Sequence, residues 1–148
     1  MKLSIFCSHD LIKLDLKSET KEVVIRELID LFDYASSVED KEVVLKDLLE
    51  REKLGSTGVG LGIAFPHARS KAVNALTIAV GRSEKGVRFG SIDRKPVHIF
   101  IVVVSPENSH AQHLSVLASL SLLLHEKENI DKFLEASFPQ EILDLLDK

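Results

Sequence analysis

The sequence is poor in cysteine and has no excess of basic residues. Its single cysteine, Cys7, cannot form an internal disulfide, and it lacks the neighbouring ligands of a zinc or redox motif. The 19 Lys and Arg residues face 23 Asp and Glu residues, which leaves a formal net charge of −4. Such a chain has few spare cations to neutralise phosphates, so we expect no nucleic-acid partner.

Long apolar segments are also missing. The purest apolar run, residues 99–104, is far shorter than the ~20 residues that a membrane-spanning helix needs. The first apolar stretch of the chain is interrupted at Ser8, His9 and Asp10, which makes it too short for a signal peptide. We therefore expect a cytoplasmic protein without membrane insertion.

The remaining composition is that of an ordinary globular protein. The 148 residues are 45% apolar and 28% charged, and a chain of this length can bury a sizeable core. No internal repeat, low-complexity block or linker rich in proline and serine divides the sequence. We therefore expect one domain over residues 1–148.

Hydrophobic periodicity predicts an α/β fold. The run at 97–104 is nearly all apolar and rich in β-branched residues, so it predicts a central strand covered on both faces. The other predicted strands cover 11–16, 63–65 and 75–80, and the predicted helices cover 20–35, 40–53 and about 109–124, with two short helices after them. Asp40 is the expected N-cap of the second helix, and the segment 137–140 is expected to open the last. This order indicates a single-domain sandwich with a mixed β-sheet flanked by helices.

The glycine-rich segment GSTGVGLG, residues 55–62, predicts a tight turn that exposes its backbone. It does not fit a phosphate-binding P-loop, because Leu61 and Gly62 stand where Lys and Ser or Thr are needed. Ser56 and Thr57 nevertheless place two hydroxyls in a loop that can hold an anion.

Six histidines are the remaining candidates for chemistry. His110 and His113 lie three residues apart, but no cysteine or local carboxylate completes a zinc site, so we expect no metal. His67 differs because it follows Pro66 at the exit of a short apolar strand, and Arg69 comes two residues later. The residues alone leave two interpretations open: a reactive imidazole at a sheet edge, or a histidine that merely ends a strand.

The segment Leu49–Arg69, LEREKLGSTGVGLGIAFPHAR, closely resembles the active-site region of the fructose/mannitol-type IIA components of the bacterial phosphotransferase system. That family includes the nitrogen-regulatory IIA-like proteins. The similarity extends over nearly the whole chain. It includes KLS near the start, GVRFG at 86–90, SPENSHAQHLSVLASLS at 105–121, and EILDLL at 141–146.

The resemblance implies that His67 accepts a phosphoryl group and that His113 is the second histidine beside it. It further implies that Arg51 lies near the phosphate, and that Ser56 and Thr57 contact it through hydroxyl or backbone N–H groups. No metal or cofactor is implied, because the donor is itself a phosphorylated protein. The implied donor is an HPr-like phosphocarrier, and the implied acceptor is a IIB component or a regulatory target protein.

The sequence contains neither a IIB domain nor a membrane IIC segment. We therefore expect a separate subunit or a regulator, and we favour the regulatory type. The competing hypothesis is a non-catalytic regulatory binding module that has kept the IIA fold. A pure binding module has no chemical need for Arg51, Ser56, Thr57, His67 and His113 together, which favours the phosphocarrier.

Overall fold

The computed structural model describes residues 2–148, which form a mixed β-sheet with helices on both faces. The strands are β1 (Ile12–Lys13), β2 (Gly58–Gly60), β3 (Ile63–Ala64), β4 (His67–Arg69), β5 (Thr77–Val87) and β6 (Val97–Ser105). The helices are α1 (Lys21–Ile29), α2 (Lys41–Lys53), α3 (His110–Leu123), α4 (Lys127–Glu135) and α5 (Pro139–Leu146). The predicted α/β sandwich with a mixed sheet is confirmed. In the part of the chain that the structure describes, no helix combines the length and apolar character needed to cross a bilayer.

The sheet has the strand order β1-β5-β6-β3-β2. Strands β5 and β6 form its long antiparallel pair, and β2 and β3 form a short one. Strand β1 is parallel to β5, whereas β3 and then β4 run parallel to β6 along the same edge. The C-terminal half of β6 therefore pairs on one side with only a three-residue strand.

Strand β6 is central and buried on both faces, as the sequence predicts. Phe100, Val102 and Val104 belong to the core that α1 and α2 cover. Its alternate residues belong to the core on the opposite face, beneath α3, α4 and α5: Ile99, Ile101 and Val103. Each fully buried side chain of this kind stabilises the fold by about 1.5–3 kcal/mol. Two packed faces thus fix the strand that leads into α3.

Helix α2 begins where the sequence predicts. The carboxylate of Asp40 accepts hydrogen bonds from the backbone N–H groups of Glu42 at 3.0 Å and Val43 at 3.4 Å. This cap satisfies N–H groups that have no partner inside the helix. Val44 and Leu48 bury the apolar side of α2 against the sheet, and the helix also contacts β4.

Helix α1 is shorter than predicted. It ends at Ile29 rather than near Ala35, and the chain tightens into a 3₁₀ turn over Asp30–Tyr34. Two aspartates of that turn accept hydrogen bonds from Nζ of Lys41, at 3.1 and 2.9 Å. The tighter turn thus connects the end of α1 to the beginning of α2.

The opening of α5 also differs from the prediction, which assigned a capping arrangement to residues Ser137 to Gln140. Pro139 is the first helical residue, so the third position, where a capping carboxylate is effective, falls on Glu141. The Glu141 carboxylate accepts hydrogen bonds from the backbone N–H groups of Ser137 at 2.6 Å and Phe138 at 3.3 Å. Gln140 therefore stands one residue before the position from which a side chain caps this helix.

The glycine-rich segment forms the β2–β3 hairpin rather than an exposed loop. Three consecutive residues of the turn have positive φ angles: Gly60 at 93°, Leu61 at 59° and Gly62 at 77°. Gly58 is buried, and a Cβ there would lie 2.9 Å from the Cα of Ser91. These glycines allow a sharp turn and a close backbone contact, and they do not form an anion-binding loop of the P-loop kind.

His67 does not lie at the exit of the predicted strand at 63–65. Pro66 separates β3 from the additional short strand β4, which begins with His67. Among the described residues β4 pairs only with β6, where His67 lies opposite Val103, so the histidine is on the sheet edge, as expected. The carbonyl of Pro66 also accepts a 2.9 Å hydrogen bond from the N–H of Val103, which fixes the backbone at this position.

Candidate active site

An open cleft lies where β4, the end of α2 and the beginning of α3 meet. Three of the predicted site residues line it, one from each element: Arg51 from α2, His67 from β4 and His113 from α3. The remaining lining residues are Asp47, Glu50, Leu54, Ala68, Arg69, Glu107, His110, Leu114 and Leu117. The fold therefore brings together the two histidines and the arginine that the sequence predicts.

The His67 ring is held in one tautomer. Its Nδ1 lies 2.7 Å from the carbonyl oxygen of Phe65, and a carbonyl only accepts, so Nδ1 carries the hydrogen. In residues 2–148, every fully buried side-chain nitrogen or oxygen of a residue that is not itself exposed has a hydrogen-bond partner. Nε2 of His67 has no partner there, so this nitrogen is accessible from the cleft. A neutral His67 thus presents the lone pair of Nε2 to an incoming group.

The surroundings of His67 favour its neutral form. Burial lowers the pKa of His67, and the nearby charge of Arg51 lowers this pKa further. The Phe65 carbonyl and the Glu52 carboxylate oppose this by raising the pKa, but the net shift is downward. The imidazole is therefore mostly uncharged near pH 7, which is the form that can act as a nucleophile.

His113 lies directly beside His67 but is more deeply buried, with 5% of its surface exposed. The two ring centroids are 5.6 Å apart, and the rings are tilted by 53°. Nδ1 of His113 lies 2.7 Å from Oγ of Ser105, and Nε2 has no partner among residues 2–148. Burial first, and then the nearby His67, Arg69 and His110, lower the pKa of His113 to about 4.

The low pKa of His113 predicts that acid destabilises the fold. An unfolded histidine titrates near pH 6.5, so between pH 6.5 and 4 the unfolded state binds more protons than the folded state. Stability then falls as the pH falls, and we expect His113 to contribute a loss of about 2 kcal/mol between pH 7 and pH 5. Urea unfolding at several pH values measures this dependence. A His113→Gln variant is expected to lose this part of the slope, and equal slopes in both proteins would contradict the assignment.

Arg51 lies in the last turn of α2 and faces the cleft. Its Nη1 donates a 2.9 Å hydrogen bond to the carbonyl of Gly55, just beyond the end of the helix. A guanidinium has five N–H donors, so most of them stay available to an anion in the cleft. The contact with Gly55 fixes the direction of a long side chain without using up its charge.

Ser56 and Thr57 do not line the cleft. The Ser56 hydroxyl donates to the carbonyl of Phe89 at 3.2 Å and accepts from the N–H of Gly58 at 3.1 Å. Both the hydroxyl and the backbone N–H of Thr57 donate to the carboxylate of Glu52. The predicted contact of this pair with a phosphate remains a prediction, and in this structure both hydroxyls bind protein groups instead.

Glu52 is a buried residue of the site region for which the sequence indicated no role. It is 7% exposed, and besides Thr57 its carboxylate accepts a 2.9 Å hydrogen bond from Nζ of Lys21. Thr57 in turn accepts, through its carbonyl, a 3.0 Å hydrogen bond from the N–H of Phe65. A continuous chain of contacts thus runs from Glu52 to the carbonyl that orients His67.

No group of three or more His, Cys, Asp or Glu side chains in residues 2–148 is arranged to hold a metal ion. His67 and His113 bind the protein through Nδ1, and Nε2 of each has no partner among residues 2–148. The site thus combines a free imidazole nitrogen, a neighbouring imidazole and a cation. This combination suits the transfer of an anionic group to histidine.

Comparison with known proteins identifies the class. Residues 5–148 match the family described as the phosphoenolpyruvate-dependent sugar phosphotransferase system, EIIA 2. The chain belongs to this family, and the predicted resemblance is confirmed.

Two relatives are fructose-specific proteins. The chain is 39% identical over 137 residues to the fructose-specific EIIA component of Haloferax volcanii, covering 93% of this chain and 89% of that protein. It is 36% identical over 148 residues to the fructose-specific EIIABC component of Bacillus subtilis, covering all of this chain but only 23% of that longer protein.

Two solved structures share the fold. The nitrogen regulatory protein IIA-Ntr of Neisseria meningitidis has a TM-score of 0.91 at 31% identity, covering 97% of this chain and 98% of that one. The mannitol enzyme IIA of Escherichia coli, solved in complex with phosphorylated enzyme IIB, has a TM-score of 0.79 at 29% identity. That match covers 94% of this chain and 95% of the mannitol enzyme. The family thus includes sugar-transport components and nitrogen-regulatory proteins that share this fold.

Proposed function

We propose that this chain is a phosphohistidine carrier whose acceptor atom is Nε2 of His67. It takes the phosphoryl group from an HPr-like phosphocarrier and either passes it to a IIB component or uses it as a regulatory signal. One observation carries the proposal. The hydrogen bond from Nδ1 of His67 to Phe65 leaves the Nε2 lone pair free in a cleft that Arg51 also lines.

In the proposed reaction, the Nε2 lone pair attacks phosphorus while the bond from phosphorus to the donor's leaving group breaks. Nδ1 keeps its hydrogen throughout and stays bonded to the Phe65 carbonyl. The charge of the transferring group lies mainly on its equatorial oxygens, so the protein contributes positioning and electrostatic stabilisation. Arg51 supplies a permanent cation, and His113 supplies a hydrogen-bond donor beside His67.

Ser56 and Thr57 support the site through the backbone in this proposal. The carbonyl of Thr57 accepts a hydrogen bond from the N–H of Phe65, and the carbonyl of Phe65 accepts one from Nδ1 of His67. Both hydroxyls are engaged with protein groups, so the pair shapes the segment that precedes the nucleophile. A phosphate that approaches His67 then meets a site whose imidazole is already oriented.

The relatives support two downstream uses of the same phosphorylated state. The mannitol enzyme IIA of Escherichia coli is in complex with phosphorylated enzyme IIB, which supports a IIB-type acceptor. The Neisseria relative is a nitrogen regulatory protein, which supports a role in regulation. In the transport use the sugar itself does not contact this chain, because the phosphoryl group arrives and leaves on other proteins.

The proposal predicts that the purified protein becomes phosphorylated in a mixture of enzyme I, phosphoenolpyruvate and an HPr-like protein. We expect an acid-labile phosphate, stoichiometric with the protein, on the peptide that contains His67. Mass spectrometry after digestion at neutral to alkaline pH locates it. If a panel of HPr-like proteins is phosphorylated in the mixture and this chain is not, the carrier function is wrong and the binding module is favoured. Addition of a IIB component then tests onward transfer by loss of the label.

A further inference from the structure

Ser105 is a buried hydroxyl that contacts the second histidine of the site. It is the last residue of β6, it lies opposite Arg69 of β4, and it is 0% exposed. Its carbonyl accepts a 2.9 Å hydrogen bond from the N–H of Ser70, which anchors the backbone on the side of β4. Its Oγ lies 2.7 Å from Nδ1 of His113, and Oγ has no other hydrogen-bond partner among residues 2–148.

Two arrangements of hydrogen atoms fit this distance. If Nδ1 of His113 carried the hydrogen, it would donate to Oγ, and the hydroxyl hydrogen of Ser105 would have no acceptor. A buried donor without a partner costs about 1–3 kcal/mol. If the Ser105 hydroxyl donates to Nδ1, both buried groups are satisfied, and the ring hydrogen lies on Nε2, which has no partner among residues 2–148 and is not fully buried.

We infer that Ser105 is a positioning residue that donates its hydroxyl hydrogen to Nδ1 of His113 and thereby places the ring hydrogen of His113 on Nε2. The inference rests on the proposed function, since it specifies how His113 serves as a donor beside the phosphorylated His67. A neutral imidazole has only one N–H. Without this serine bond the hydrogen is free to reside on Nδ1, and Nε2 then presents a lone pair to the phosphoryl oxygens.

The tautomer of His113 matters because the ring is neutral near pH 7. Burial and the charges around His113 keep its pKa near 4, so the ring is not a cation near pH 7. It donates a hydrogen bond toward His67 only in the tautomer with hydrogen on Nε2. The buried serine therefore selects the tautomer in which neutral His113 donates toward His67.

The test compares the wild type with Ser105→Ala, and Ser70→Ala serves as the matched control. Ser70 is also a buried serine, next to the end of β4, but its hydroxyl accepts a hydrogen bond from the N–H of Ala72 and has none with His113. Long-range ¹H–¹⁵N NMR spectra of the unphosphorylated proteins report which ring nitrogen of His113 carries hydrogen. The rate of phosphoryl transfer from a phosphorylated HPr-like protein is measured on the same samples.

We expect the Nε2–H tautomer of His113 in the wild type and in Ser70→Ala, and a mixture of tautomers in Ser105→Ala. The transfer rate of Ser105→Ala is expected to fall about tenfold, as for the loss of one neutral hydrogen bond. An Nδ1–H tautomer in the wild type, or an unchanged tautomer in Ser105→Ala, would overturn the inference. A wild type that never accepts phosphate would overturn the proposed function instead, and the spectra would still decide the role of Ser105.

Discussion

Replacing His67 with glutamine is expected to leave the protein without transferable phosphate. Glutamine keeps a polar side chain of similar length, but its amide nitrogen has no available lone pair and cannot attack phosphorus. Loss of a covalent nucleophile lowers a rate by ~10³-fold or more, so the label should fall to the background of the assay. The measurement is the initial rate of labelling by a phosphorylated HPr-like protein, with circular dichroism and urea unfolding to verify the fold.

The matched control is His110→Gln. His110 lines the same cleft, but it is exposed, and its side chain has no hydrogen bond to any residue in 2–148. We expect its labelling rate to stay within about twofold of the wild type. Continued labelling of His67→Gln would contradict the assignment, and peptide mapping would then show whether His110 or the buried His113 is the acceptor.

The core of the fold could be predicted because its signals are local. The apolar run of β6 contains only residues that suit a strand buried on both faces, and Asp40 stands directly before the periodic pattern of α2. Strand β4 could not be predicted in this way. Three residues after a proline carry no periodicity, and β4 exists only because β6 offers an unpaired edge beside His67.

The meeting of His67, Arg51 and His113 depends on tertiary packing. Their residue types and flanking motifs were visible through the family resemblance, but spacing along the chain does not bring three separate elements together. The parallel register of β4 and β6 places His67 near the end of β6, and α3 begins shortly after that end. The cleft is thus a consequence of strand register and of the short connection that follows β6.

Glu52 shows most clearly what the sequence could not reveal. In the string Arg-Glu-Lys it resembles any charged residue at a helix end, and such residues are usually exposed. It is buried because Lys21, from a different helix, and Thr57, from the hairpin, together satisfy its carboxylate. The same contacts withdraw the Thr57 hydroxyl from the cleft, so the hydroxyl's partner in the structure is the carboxylate rather than solvent.

Replacing Arg51 with glutamine is expected to slow phosphoryl transfer to His67 by ~10²–10³-fold, the usual effect of removing a preorganised electrostatic donor. The side chain lies in the cleft with His67, and its bond to the Gly55 carbonyl holds it there before any phosphate arrives. Arg51→Lys keeps the charge but loses the planar set of donors, so we expect it to recover only part of the rate. The measurement is single-turnover labelling at subsaturating and at saturating concentrations of the donor.

Lys53→Gln is the matched control for charge. It removes one cation from the same helix end, but Lys53 is exposed and does not line the cleft. Equal losses in the Arg51→Gln and Lys53→Gln variants at subsaturating donor would indicate long-range steering of an acidic partner, and both losses would then vanish at high salt. A loss confined to Arg51→Gln that persists at high salt supports a direct contact with the transferring group.

Arg51 also acts on the nucleophile itself, which gives an independent readout. Its charge lowers the pKa of His67, so Arg51→Gln is expected to raise that pKa toward the ordinary histidine value. At a pH near this value, a larger fraction of His67 is then protonated and cannot attack phosphorus. The transfer rate of the variant should therefore rise more steeply with pH than that of the wild type. NMR titration of His67 measures the shift directly, and an unchanged pKa would restrict Arg51 to stabilising the phosphoryl group.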